Sequence, residues 1–428
     1  MDGKRLTLKL RELLDPADFR LVCDVGATAQ RAGFRAFLVG GPVRDLLSAG
    51  ALADVDFAIE GDAAKTARAL ARKYNARLTV FERFLTCRLT LPDGSRFDLA
   101  STRREVYPGP GALPKVFPAD VGADLLRRDF SINAMAVELT PPRLGLLLDP
   151  FRGRDDLRDR KLRVLHENSF RDDPTRILRG IRFQPRLHLE WERRTRALLD
   201  DALKSAALDT VSGARLKKEV FYILEMNERA AAVESMVKLC VPQALSPGAV
   251  FSPDLLSPTD RVARALRSLP RAKFIESIHK PLLYFLAVAR LADDKALRSL
   301  AGRLAFTARE RKCLLDGASG ARAASRCAAA GELGETYLAL RSLEPEAALL
   351  AYASEKQPRA RCILKKCLSI PPVKLAVSGD DLRRLGFKPS PDFGETLREV
   401  LKMKLEGAVK GKAAELAAAE KILRGKKL

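Results

Sequence analysis

The chain has 428 residues, 47% of them hydrophobic, which is ample for a buried core and too long for one small domain. Lys and Arg total 76 against 54 Asp and Glu, a net charge of +22 that favours a polyanionic partner, nucleic acid first, although an Arg-rich composition alone also gives a solubility charge of this sign. Three classes are excluded: no apolar run of about 18 residues marks a membrane span, the opening MDGKRLTLKLRELLDPADF lacks the apolar block of a signal peptide, and seven scattered cysteines without a CxxC pair build no zinc or disulfide framework. The expectation is a cytoplasmic protein whose cysteines act as small, buried or half-buried apolar residues.

Strand and helix signals alternate at first. AFLVG (36–40) is a short apolar run ending in glycines and reads as a buried strand. VRDLLSAG (43–50) has a helical pattern closed by Gly50, and DVDFAIEG (54–61) alternates as a strand up to Gly61. AAKTARALARKYN (63–75) reads as an amphipathic helix. Residues 77–101 hold two alternating runs around Pro92-Asp93-Gly94, a hairpin signal. The proline- and glycine-rich stretch 103–124 reads as a mobile loop. From about residue 155 the pattern is helical, with breaks near 242–258, 316–320, 356–358 and 370–372 and no repeat. The last stretch, EGAVKGKAAELAAAEKILRGKKL, is an Ala-rich helix with a basic tail, either a solvated end or a phosphate-contacting arm. The fold class expected is α+β. A small mixed-sheet head over 1–150 leads to an all-helical neck over 151–225 and a helical body and tail over 226–428.

Four patterns carry chemistry. Gly40-Gly41-Pro42-Val43-Arg44-Asp45 follows a strand and opens a helix. Glycines let backbone approach a phosphate, a helix start offers free N–H groups, and Arg44 adds a charged fork; a tight strand-to-helix turn is the plainer reading. Asp54-Val55-Asp56 places two carboxylates on one face of a strand. Carboxylates forced together repel, and a pair of divalent metals about 3.5–4 Å apart, Mg²⁺ by its hard oxygen ligands, relieves that. Asp98, on a later alternating strand, is either a third metal ligand or a cross-strand partner for an Arg. Arg127-Arg128-Asp129-Phe130-Ser131-Ile132-Asn133 is too polar for a plain core segment. Arg128 suits a triphosphate and Asn133 a ribose hydroxyl or backbone, against a structural Arg–Asp pair. In Asp172-Asp173-Pro174-Thr175-Arg176, Pro174 suits a first helical turn, and Asp173 and Arg176 share a face continued by Arg179 and Arg182. A carboxylate beside a guanidinium presents an acceptor and donors to a nucleobase edge.

Together these patterns resemble the bacterial class II tRNA nucleotidyltransferase and poly(A) polymerase family of the polymerase β superfamily. The match runs through LVGGPVRDLL, DVDF, RRDFSINAMA, LDPFRGRDDLRDRKLRVL and FRDDPTRILRGIRF, with weaker likeness at 211–224 and 376–400. The resemblance implies that Asp54 and Asp56 bind the Mg²⁺ ions, and that Gly40, Gly41, Arg44, Arg128 and Asn133 hold the nucleotide. Asp173 and Arg176 would read the base, with Arg179 and Arg182 as further nucleotide contacts. It also implies addition of C and A to the tRNA 3′ end from CTP and ATP, with release of pyrophosphate. Poly(A) synthesis and A-only or CC-only addition are the alternatives within the family, and a non-catalytic RNA binder the alternative outside it. The chain departs from the family pattern at Asp172, where Glu is usual, at Arg152-Gly153 in place of Gly-Gly, and at Leu187-His188-Leu189 in place of Leu-Gly-Phe.

Overall fold

The computed structural model describes residues 3–48, 55–249, 251, 256–269, 277–290 and 292–425. Contacts divide the chain into two compact units, Met1–Arg215 and Leu216–Leu428.

The first unit opens with helices α1 (Gly3–Leu13) and α2 (Pro16–Arg31). Asp15 caps α2 by accepting from the Ala17 and Asp18 N–H groups at 2.8 and 2.9 Å. There follow β1 (Arg35–Val39), α3 (Gly41–Leu47), β2 (Asp56–Glu60), α4 (Ala63–Tyr74), β3 (Arg77–Phe81), β4 (Thr86–Thr90), β5 (Arg96–Ser101), β6 (Arg103–Val106), β7 (Lys115–Pro118) and α5 (Val121–Leu126). The unit continues through β8 (Ala136–Glu138), β9 (Leu147–Leu148), α6 (Gly153–Arg158), β10 (Lys161–Leu162), α7 (Ser169–Asp172), α8 (Thr175–Arg186), β11 (Glu190–Trp191) and α9 (Arg193–Lys204) to the start of α10 (Gly213–Glu225).

Seven strands form one mixed sheet in the order β3-β4-β5-β2-β1-β8-β9. Within this sheet, among the described residues, only the β2–β5 pair is parallel. Period-two alternation gives the sheet two buried faces. Ala36 and Leu38 of β1, with Phe57 and Ile59 of β2, join the core shared with Leu21, Val25 and Leu70 of the helices. Phe37, Val39 and Ala58 face a second cluster with Val121 and Leu125 of α5. Burying such side chains contributes roughly 1.5–3 kcal/mol each.

The expected mixed-sheet head and helical remainder are observed, and several local expectations need correction. Residues 77–91 form two strands, not one run, because the 3₁₀ turn Glu82–Phe84 and a left-handed Leu85 (φ 53°) fold the alternation back on itself. Residues 103–124 are not a bare loop. Pro108, Pro110 and Pro114 fall in the connection, while the alternating flanks pair as the β6–β7 hairpin and α5 follows. Past residue 155 a short parallel pair, β10–β11, interrupts the helices. The break expected at 316–320 is instead inside a 23-residue helix, Ala308–Ala330. There a Cβ on Gly317 would lie 3.0 Å from the Ala347 Cβ, and one on Gly320 would collide with Leu343. These glycines serve close packing, not chain reversal. Of the cysteines, Cys240 and Cys362 are exposed. Gly50 and the last residues, 426–428, lie outside the described residues.

Both family departures at glycine positions carry a backbone conformation that glycine favours. Arg152 has φ 57° and His188 φ 52°.

In the second unit, helix Ala308–Ala330 starts in a capping box between Thr307 and Glu310. Helix Pro345–Ser354 is apolar nearly all round and buried over Glu346–Ala353. Helices Gly379–Arg384, Asp392–Leu405 and Gly411–Gly425 gather a separate small core around Leu382, Val400 and Ala419. No helix among the described residues is long and apolar enough to cross a membrane.

Candidate active site

The sheet register brings several predicted residues to one edge of the first unit. Leu38 pairs with Phe57, and Val39 with Ala136. Gly40 therefore leaves β1 where Asp56 enters β2 and where β8 begins, and its N–H donates to the Met135 carbonyl at 3.3 Å. Across the parallel pair, Asp56 stands opposite Asp98. Asp56 is exposed. Asp98 accepts from Arg88 Nε and Nη2 at 2.7 and 2.8 Å, from the antiparallel neighbour on its other side. The two readings of Asp98 are thus compatible in position: it lies beside Asp56 and it pairs with an Arg. Asp54 lies outside the described residues. Among the described residues no three His, Cys, Asp or Glu side chains gather as a metal cage. Within that limit the donor set fits a hard divalent cation, since an exposed carboxylate at a strand start has a second carboxylate in register beside it.

The glycine turn is bracketed by two guanidiniums. Gly40 takes φ 77°, ψ −135°, which only glycine adopts readily, and so sets the sharp exit from β1. A Cβ there would stand 2.9 Å from Arg128 Nη1, and one on Gly41 would stand 3.5 Å from Arg44 Nη2. Arg44, only 4% exposed, donates Nη1–H to Asn133 Oδ1 at 2.7 Å and grips Asp45 through Nε and Nη2 at 2.8 and 3.0 Å. Arg128 pairs with Asp124 at 2.9 Å, and its buried Nε has no partner among the described residues. An unmet buried donor beside a glycine turn is a feature that an anionic group would complete.

The segment before α8 differs from its expected geometry. Asp173 is extended (φ −135°, ψ 91°) and precedes the helix, so it does not share a helical face with Arg176. Asp173 caps α8 instead, its Oδ1 accepting from the Thr175 N–H and hydroxyl at 3.1 and 2.6 Å. Arg176, 3% exposed, donates to Ser169 Oγ at 2.6 Å and to the Arg127 carbonyl at 2.7 Å. Arg179 binds Asp129 Oδ2 through Nε and Nη2 at 2.9 and 2.5 Å. Arg44, Arg179 and Arg182 face the Phe183 ring at 5.7, 5.8 and 5.5 Å from its centroid.

Three residues organise this region: Asp124 and Phe183, not singled out from sequence, and Asp129, which forms the structural Arg–Asp pair that the sequence offered as the plainer reading, with Arg179 as its partner. Asp129 Oδ1 accepts from the Phe130 N–H and from Asn133 Nδ2 at 2.8 and 3.0 Å. A continuous network therefore runs Asp45–Arg44–Asn133–Asp129–Arg179. Burial would push the Asp129 carboxyl up, but Arg179 and the Asn133 amide outweigh burial and hold it at about 2. Asp124, 1% exposed, joins Arg127 and Arg128 at 2.7 and 2.9 Å; burial opposes its ionisation, and the two guanidiniums hold it below its ordinary value. Phe183, the third, carries the arginines. The one sequence signal for them is local: an Asp four residues before Arg128, an Asp next to it, and a Phe next to Arg182.

Residues 36–163 match the family model described as the poly A polymerase head domain. The chain is 33% identical over 392 residues to the A-adding tRNA nucleotidyltransferase of Geobacter sulfurreducens, covering 90% of this chain and 44% of that one. It is 32% identical over 416 residues to the A-adding tRNA nucleotidyltransferase of Halalkalibacterium halodurans, covering 95% and 93%. The solved CCA-adding enzyme in its apo form II superposes with a TM-score of 0.83 at 27% identity, over 99% of each chain. The chain belongs to the class II tRNA nucleotidyltransferase family, as the resemblance in its motifs implies.

Proposed function

We propose that this protein adds nucleotides to the 3′ end of tRNA without a template, in the cytoplasm, from a nucleoside triphosphate, ATP or CTP, with release of pyrophosphate. The observation that carries this reading is the sheet edge. There an exposed Asp56, in register with Asp98, adjoins a glycine turn flanked by Arg44 and Arg128. Asp54 and Asp56 would hold Mg²⁺, with Asp98 as a supporting carboxylate. Bound there, divalent metal supplies acidification of the attacking 3′-hydroxyl and neutralisation of charge on pyrophosphate. The glycine backbone at Gly40 and Gly41 lets the triphosphate approach, and Arg128, backed by Asp124, donates to it. Arg44 and Asn133 hold the turn from inside and, as the resemblance implies, contact the nucleotide. Asp173 and Arg176 select the base, Arg179 and Arg182 add further nucleotide contacts as the resemblance implies, and their packing on Phe183 keeps α8 in place against that site. The helical remainder carries tRNA by its backbone, consistent with the basic charge.

Among the products open to the family, addition of the terminal A has the stronger support. Two relatives named A-adding are 33% and 32% identical over 90% and 95% of this chain, whereas a CCA-adding enzyme of Lactobacillus delbrueckii subsp. bulgaricus is 27% identical over 91%. Complete CCA addition is the second reading, supported by the TM-score of 0.83 to a CCA-adding enzyme. The test is primer extension on tRNA transcripts ending before CCA, after C and after CC, with Mg²⁺ and ATP, CTP or both. Extension of only the CC-ended transcript, by one A, is the expected result. Extension of the shortest transcript by CCA selects the second reading. Long ATP-dependent tails on any RNA, or no incorporation at all, contradict both.

A further inference from the structure

One guanidinium in the first unit joins segments far apart in sequence. Arg215, in the first turn of α10, donates Nη2–H to Asp173 Oδ1 at 2.8 Å and Nη1–H to the Gly111 carbonyl at 2.7 Å. With the Thr175 N–H and hydroxyl, three donor groups converge on Asp173 Oδ1. Among the described residues, Oδ2 accepts no hydrogen bond. Gly111 is the buried tip of the β6–β7 connection, and its dock is specific. It takes φ 67°, a Cβ there would collide with Thr210, and its N–H donates to the Arg171 carbonyl at 3.2 Å.

We propose that Arg215 is a positioning residue for nucleobase selection. It fixes Asp173 with Oδ1 held by protein and Oδ2 left to accept from the base's exocyclic amino group. It also ties that orientation to the docked position of the 107–114 connection. The proposal rests on the reading of Asp173 as the base-selecting carboxylate. The physical need is direction: an acceptor rejects a base lacking the amino group only if the carboxylate cannot swing to meet another donor. A planar fork can serve two acceptors from one side chain, whereas a lysine ammonium is a compact point charge and holds them less rigidly. The geometry explains why an arginine outside the four chemistry-bearing patterns stands at this point.

The experiment measures single-nucleotide incorporation by the full chain on the transcript that wild type extends, comparing the nucleotide wild type prefers with UTP. The variants are Arg215→Ala, Arg215→Lys, Asp173→Asn and the Arg215→Ala/Asp173→Asn double, with the melting temperature of each. Arg215→Ala is expected to lose discrimination on the order of tenfold, mainly through the KM for the correct nucleotide. Arg215→Lys should recover only part of it. The double variant should discriminate no worse than Asp173→Asn alone, because Arg215 acts through that carboxylate. Wild-type discrimination in Arg215→Ala overturns the proposal, as do losses that multiply in the double variant. If Arg215→Ala does not fold, Arg215→Lys decides: an intermediate loss supports the proposal and wild-type discrimination overturns it. Wild-type discrimination in Asp173→Asn instead sinks the reading of Asp173 itself, an outcome distinct from failure at Arg215 alone.

Discussion

The sheet edge where β2 begins and the segment 124–133 that packs with α8 both present aspartates, in opposite surroundings. Asp56 is exposed, and Asp98 beside it is shared with a half-exposed Arg88. Asp124 and Asp129 are 1% and 7% exposed and are each held by guanidiniums. A carboxylate that water reaches can take on a cation at little desolvation cost, even where, as at Asp98, a guanidinium already shares it. A buried one must keep its partners, because removing either leaves an uncompensated charge. On the proposed function, the edge would perform the chemistry and the buried network would hold the parts in register.

Four variants sharpen or break the contrast, taken from the largest effect. Asp56→Ala should lower nucleotide incorporation at least about a thousandfold, since the metal chemistry has no substitute, while the melting temperature stays within about 2 °C. Asp129→Ala should do the reverse. It removes the acceptor shared by Arg179 and the Asn133 amide, and because the Arg179 side chain is 34% exposed the cost should be about 1–3 kcal/mol in denaturant unfolding. Gly320→Ala, in the second unit, sets a methyl against the half-buried end of the Leu343 side chain, which can turn away, while Ala adds helix propensity, so stability should change by no more than about 1 kcal/mol with the KM for ATP unchanged. His188→Gly releases a left-handed non-glycine residue and should change stability by no more than about 1 kcal/mol in either direction, with strain relief set against added unfolded-state entropy.

The buried network also has a pH signature. The Asp129 carboxyl is held at about 2, against an ordinary value of 3.8. A lowered carboxylate contributes stability that is fully present above its unfolded pKa and lost as pH falls through the folded one. Unfolding free energy should therefore fall from about pH 4 toward pH 2, and Asp129→Asn should flatten that part of the curve. An unchanged slope in the variant would remove Asp129 as its source.

Much of the edge was legible in the sequence because each part is a local pattern. The Gly40-Gly41 turn, the alternation into β2 and the strand carrying Asp98 are read within a few residues. Helix α8 was legible too, but the place of Asp173 was not, since the change from extended backbone to helix falls between Asp173 and Thr175 and spacing alone extends the helix backward. The partners of Arg44, Arg176 and Arg179 were hidden for another reason. Asn133, the Arg127 carbonyl and Asp129 lie 89, 49 and 50 residues away, and only the folded sheet brings them together. Gly317 and Gly320 misled because a helix-breaking residue and a close-packing residue are the same residue until the neighbouring helix is seen.

On the proposed function, the exposed edge, and not the buried network, carries the reaction. Single-turnover incorporation of labelled ATP into tRNA ending in CC, compared between Asp56→Asn and Asp129→Asn at a temperature where both are folded, tests it most directly. A loss of about a thousandfold or more is expected for Asp56→Asn, and a rate within about tenfold of wild type for Asp129→Asn. Near-normal rates in Asp56→Asn, with Asp129→Asn inactive though folded, would contradict it.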